Sequence, residues 1–116
     1  MDIMTRARVG QLFGALANPT RLRIVELLCT GERSVNEIAE ALQIGQSGTS
    51  QHLAILTRAG VLAVEPVGSI RIYRVRGPRI GKILTLIEEF CTIHELYGVA
   101  REEADDGSRA SGAESK

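Results

Sequence analysis

The sequence predicts a mainly helical domain carrying one small β-hairpin. Apolar residues recur at helical spacing in five stretches, each bounded by capping or breaking residues. One stretch, residues 61–75, changes instead to β-branched residues folded about Gly68-Ser69. Aliphatic side chains must supply the core, because aromatics make up 3% of the 116 residues while apolar residues reach 44%. That is enough for one domain.

A first helix is expected over residues 5–17, with Val9, Leu12, Phe13 and Leu16 forming a single apolar stripe. Asn18-Pro19 ends it and begins a second. The Asn side chain can accept from free first-turn amides, and Pro at the first helical position forfeits no needed N–H. The second helix should turn Leu22, Val25, Leu28 and Cys29 inward and stop at Gly31. Ser34-Val35-Asn36-Glu37 has the spacing of a capping box and opens a short helix with Val35, Ile38, Ala39 and Leu42 inside. After a tight break at Gln43-Ile44-Gly45, another helix is expected over residues 46–58, closed by Gly60, with Leu53, Leu56 and Ala59 inward. Its leading end and opposite face show Gln46, Ser47, Thr49, Ser50, Gln51 and His52. A short helix, a tight turn and a second helix with a polar leading end form a helix-turn-helix pattern. Residues 61–65 and 71–75 read as the strands of the hairpin. Pro78 then starts a last helix with Ile80, Ile83, Leu84, Ile87, Phe90, Cys91 and His94 along one stripe. The sum is a winged helix-turn-helix with an additional helix at each end.

The formal net charge is zero, from 14 basic and 14 acidic residues, which seems to count against a nucleic-acid partner. The charges are segregated, however. Arg58, Arg71, Arg74, Arg76, Arg79 and Lys82 face one acid, Glu65, whereas acids dominate from Glu88 onward. Residues 1–101 are expected to form the domain, and 102–116 a disordered acidic tail. No apolar run approaches a membrane span, and residues 1–6 lack a signal-peptide core. Two cysteines without an export signal suggest a reducing cytoplasm. No phosphate-binding glycine loop, nucleophile elbow or HExxH pattern is present, so an enzyme is not expected, and no cofactor is implied.

Ala15-Leu16-Ala17-Asn18-Pro19-Thr20-Arg21-Leu22-Arg23-Ile24 resembles the "ALA-[NH]-P-x-R-L-x-I" segment of the ArsR/SmtB-type bacterial repressors. Residues 50–62, from Ser50-Gln51-His52-Leu53 to Ala59-Gly60-Val61-Leu62, resemble their recognition-helix signature. The resemblance covers roughly residues 9–96. It implies a homodimer, joined through the first and last helices, that binds a pseudo-palindromic operator and releases it when an effector binds or reacts. A recognition helix entering the major groove would bring Gln46, Ser47, Thr49, Ser50, Gln51 and His52 to the duplex, with Gln51 suited to adenine. Arg71 and Arg74 on the hairpin are candidates for backbone or minor-groove contact. Many relatives carry Gly-Arg at the wing tip; here it is Gly68-Ser69.

The family includes metal sensors, but their Cys-x-Cys pair is missing from residues 34–42, and the last helix offers only His94 with nearby glutamates. No metal site is therefore expected. A subset senses persulfides or oxidants through one thiol on each of two helices, and Cys29 and Cys91 resemble that layout. A small reactive inducer is one reading of these cysteines, and plain core packing is the other. Two further alternatives are a metal- or metalloid-responsive repressor with an atypical site, and a winged-helix protein-interaction module that does not bind DNA.

Overall fold

A computed structural model of the chain describes residues 1–94. The expected boundary at 101/102 and the acidic tail lie outside them. The chain divides into a compact unit, Met1–Gly81, and a second that begins at Lys82.

The first unit holds four helices and a sheet. Helix α1 (Ile3–Leu16) starts earlier than expected because Asp2 caps it, its carboxylate accepting from the Thr5 amide at 2.7 Å. That bond holds the Asp2 carboxyl below its ordinary pKa, since it favours the charged form. Helix α2 (Pro19–Leu28) is capped by Asn18, which accepts from the Arg21 amide at 3.0 Å. Strand β1 (Arg33–Ser34) leads into α3 (Val35–Leu42), where both capping-box bonds form. Glu37 N–H donates to Ser34 Oγ at 3.2 Å, and Ser34 N–H to Glu37 Oε1 at 2.8 Å. Helix α4 (Gln46–Arg58), strand β2 (Leu62–Val67) and strand β3 (Ile70–Val75) follow, and α5 (Arg79–Ile93) begins at the end of this unit.

The sheet is antiparallel in the order β1-β3-β2. Val67 pairs with Ile70 across a two-residue turn in which Gly68 takes φ +63, a left-handed conformation that favours glycine. Strand β1 pairs Arg33 with Tyr73 and Ser34 with Ile72. Two residues are too few to show a β period, so nothing in the sequence singles this strand out.

Ile24, Val25 and Leu28 of α2, Ile38 of α3, and Leu53 and Leu56 of α4 form the centre of the core, joined by Val61 and Leu62 at the start of β2. One inward assignment needs correction. Cys29 is exposed, because it is the cap residue beyond the last turn of α2, and Ile24 is buried in that helix instead. Phe13 is 51% exposed, so α1 buries only Ala15 and Leu16. On α5 only Ile80 is buried.

In the second unit, the rest of α5 presents Leu86, Ile87, Phe90 and Ile93 outward. The Phe90 ring and His94 imidazole lie 4.3 Å apart at 44°. Among the described residues no helix is long and apolar enough to cross a membrane.

The Thr57 hydroxyl is the one buried side-chain polar atom without a hydrogen-bond partner among the described residues. An unmet buried hydroxyl costs about 1–3 kcal/mol. Thr57→Val, which keeps the shape and removes the hydroxyl, should therefore raise stability by about 1 kcal/mol, read as a higher urea midpoint at unchanged m-value.

Candidate nucleic-acid interface

The turn between α3 and α4 is built by backbone geometry. Gln43 adopts a left-handed conformation, φ 56 and ψ 51, and the Ile44 amide donates back to Ala39 O at 3.0 Å. This closes α3 and reverses the chain within three residues. Gly45 is the N-cap of α4 and provides no side-chain acceptor. Thr49 N–H, at 2.9 Å to Gly45 O, makes the first intrahelical bond, so the amides of Gln46, Ser47 and Gly48 point out of the helix end. That end carries the positive pole of the helix dipole.

Exposure divides α4 cleanly. Thr49, Leu53 and Leu56 are 0% exposed. Ser47, Ser50, Gln51, Ala54 and Arg58 are exposed, and their spacing of three, four, seven and eleven residues places them in one stripe opposite the buried face. Gln46 is exposed at the leading end.

The expectation that Thr49 shares the polar surface is corrected. Its hydroxyl donates to Gly45 O at 2.7 Å, so the one polar group of a buried side chain is satisfied inside the helix. His52 is half-buried at the edge of the stripe, with Nδ1 3.4 Å from Arg21 Nη1. Arginine can only donate, so Nδ1 accepts and Nε2 carries the proton. Ala54 and Arg58 were missed as stripe members. Continuing the period from Ser47 through positions 54 and 58 would have found them.

The hairpin separates the two arginines expected to act together. Side chains alternate along β3, placing Arg71 on the face that carries the buried Tyr73, and Arg74 on the other. Arg74 Nη1 lies 3.4 Å from Glu65 Oε1, with both side chains about half exposed (48% and 60%). Such a pair contributes less than about 1 kcal/mol to stability, yet it offsets the Arg74 charge locally. Arg71 is exposed and has no partner among the described residues.

The two cysteines stand in separate units. Burial, and secondarily the Glu26 carboxylate, push the Cys29 thiol above its ordinary pKa. Cys91 is half-buried on α5. Among the described residues no three His, Cys, Asp or Glu side chains gather as a group that could hold a metal ion.

The bacterial regulatory protein arsR family matches residues 18–64, the stretch from the α2 cap into β2. An HTH-type transcriptional regulator of Mycobacterium tuberculosis, Rv0081, is 39% identical over 78 residues, covering 66% of this chain and 68% of the relative. The HTH-type transcriptional repressor SmtB of the same organism is 40% identical over 75 residues, 65% of this chain and 56% of that one. A homodimeric winged helix-turn-helix DNA-binding domain from Mycobacterium bovis superposes with a TM-score of 0.72 at 30% identity, over 78% of this chain and 84% of its own. These relatives are transcriptional regulators, not enzymes. A recognition helix with one face sealed in the core, a paired wing beside it, and sequence identity running through both place this chain in the ArsR family of winged helix-turn-helix transcriptional regulators.

Proposed function

We propose that the chain is a cytoplasmic homodimeric repressor that reads a pseudo-palindromic operator through α4. The exposed stripe opposite the buried face of α4 carries this reading. Its leading end has uncapped amides suited to phosphate, and Ser47, Ser50 and Gln51 stand where short polar side chains reach base edges. Gln51 reads adenine, Gln46 and the serines take bases or phosphates, and His52 donates from Nε2 to a phosphate. Thr49 holds the helix in place without touching DNA.

The dimer would form on α1 and α5. Each carries apolar side chains that remain exposed: Ile3, Met4 and Phe13 on the first, Leu86, Ile87, Phe90 and Ile93 on the second. Exposed apolar side chains gathered on a helix suit association. The M. bovis neighbour is itself homodimeric. A two-fold dimer would present its two α4 helices about 34–36 Å apart, one turn of duplex.

Release through thiol chemistry at Cys29 and Cys91 completes the proposal. The exposure of Cys29 supports access by a small sulfur species or oxidant. Its raised pKa makes it a slow nucleophile at neutral pH.

The test is operator binding by variants. Gln51→Ala should weaken operator binding by about tenfold, the value of one good base contact, while binding to random duplex is unchanged. Thr49→Val should leave both unchanged, since its hydroxyl serves the helix. Equal loss on both DNAs for Gln51→Ala would remove its base-reading role.

The thiol chemistry has its own sign. The raised Cys29 pKa means the fold favours the protonated thiol, a contribution fully present at neutral pH and lost as pH rises through the raised value. Alkylation of Cys29 in a Cys91→Ser background should accelerate as pH rises. Glu26→Gln, which removes the second cause of the shift, should speed it at fixed pH. Mass spectrometry after polysulfide or peroxide treatment of the native chain should show a Cys29–Cys91 linked species with weakened DNA binding.

A further inference from the structure

Helices α1 and α4 face each other across an open groove of about 200 Å³ within the first unit. Each helix lines it with residues spaced i, i+3 and i+4, which share one helical face. Gln11, Gly14 and Ala15 come from α1, and Ile55, Arg58 and Ala59 from α4. Half of these positions are Gly or Ala, and a Cβ placed on Gly14 would meet nothing within 4 Å. The groove therefore exists because its walls carry small side chains. Floor and rim differ in chemistry. Ala15 is buried and Ile55 and Ala59 are half-buried, giving an apolar floor. Gln11 and Arg58 are exposed, and their side chains make no hydrogen bond or ion pair among the described residues. Neither α1 nor α4 contains an acidic residue, whereas they carry Arg6, Arg8 and Arg58, and Asp2 caps α1 at the end away from the groove. An open guanidinium beside an apolar floor, with no acid on either wall, suits an anion that has an apolar body.

We propose that this groove binds a small aromatic monocarboxylate, and that occupancy withdraws Arg58 from DNA. The second half rests on the DNA-binding reading above; the site itself does not. Size sets the class of ligand. A dry cavity of about 150 Å³ admits a benzene ring, whereas pockets for drug-sized ligands begin at about 300 Å³. A groove of about 200 Å³ takes one ring and its carboxylate. The ring lies on Ala15, Ile55 and Ala59, in the space that Gly14 leaves. The carboxylate accepts two parallel N–H bonds from the Arg58 guanidinium, a planar match that a point charge does not offer, and one from the Gln11 amide. Arg58 also belongs to the exposed stripe of α4, with Ser47, Ser50, Gln51 and Ala54. A carboxylate on its guanidinium neutralises a cation that otherwise releases a counterion at phosphate. By linkage, duplex weakens ligand binding as much as the ligand weakens duplex binding.

Fluorine NMR of para-fluorobenzoate titrated with the full chain, without DNA, reads the site first. Acetate keeps the ionic strength constant. The acid should bind with a Kd of about 1 mM, and the neutral para-fluorobenzamide, of the same shape, about tenfold more weakly. Arg58→Gln should erase that preference. Gly14→Leu, whose side chain enters the groove without a clash, should abolish binding of both probes and leave duplex affinity unchanged. Random duplex should displace the acid from the wild type, and saturating acid should lower the salt slope of duplex binding by about one. Equal binding of acid and amide, undiminished binding by Gly14→Leu, or no binding up to about 10 mM acid would overturn the site, whatever the duplex does. Acid that stays bound while duplex binds normally would overturn the link to DNA. Failure to bind any duplex would overturn the reading of α4 and that link together, while the preference for acid over amide still decides the site.

Discussion

Arg21 donates from Nε to Ala15 O, from Nη2 to Gly14 O at 3.4 Å and from Nη1 to His52 Nδ1 at 3.4 Å. One guanidinium thus ties the carboxyl end of α1 and the flank of α4 to α2. A cation at a helix C-terminus meets the negative pole of the dipole and carbonyls that have no intrahelical donor. Two positions on, Arg23 does the same for α3, donating from Nη2 to Leu42 O at 3.2 Å. The Arg21-Leu22-Arg23 segment therefore holds the ends of the helices on both sides of α2. Those bonds tie the end of α3 and the flank of α4 to α2.

Burial then sets the rotation of α4. Leu53 and Leu56, each fully buried, contribute about 1.5–3 kcal/mol apiece relative to exposure. Turning the helix by one residue, 100°, would bring Leu53 out and carry polar stripe residues inward, losing burial and adding unmet polar groups. Nothing on the exposed stripe has comparable energy in the free protein. The reading surface is thus chosen by what lies beneath it, and its residues are left free to be selected for DNA.

Local signals in the sequence were sufficient for the frame. The Asn18 cap, the Ser34–Glu37 box, the break at Gln43-Ile44-Gly45 and the two-residue hairpin turn each depend on residues within four positions, so the chain itself displays them. The errors share one cause, an assumption that polarity reports exposure. Thr49 is polar and buried, because an i−4 bond satisfies its hydroxyl. Cys29, read as an inward residue of α2, is exposed because it is the cap residue of that helix. Strand β1 and the Arg74–Glu65 pair were invisible for a different reason: both depend on the hairpin register, a long-range outcome. The same register separates Arg71 from Arg74, which adjacent numbering had made look equivalent.

That separation changes the meaning of the zero net charge. Attraction to a polyanion is governed by the cations that can release counterions, not by the sum over the chain. The side chains of Arg58, Arg71, Arg76 and Arg79 are exposed and make no hydrogen bond or ion pair with the described residues, whereas Arg74 already has Glu65 within 3.4 Å. Bringing a phosphate to Arg74 must displace that carboxylate or suffer its repulsion, so the pair makes the middle of the wing less adhesive than its count of arginines implies. A wing with every arginine unpaired would hold any duplex and slow the search for an operator. With Arg74 held by Glu65, Arg71 is the arginine of β3 left open to an incoming anion. The zero net charge is in this sense a sum that hides which cations are open, set residue by residue along β2 and β3.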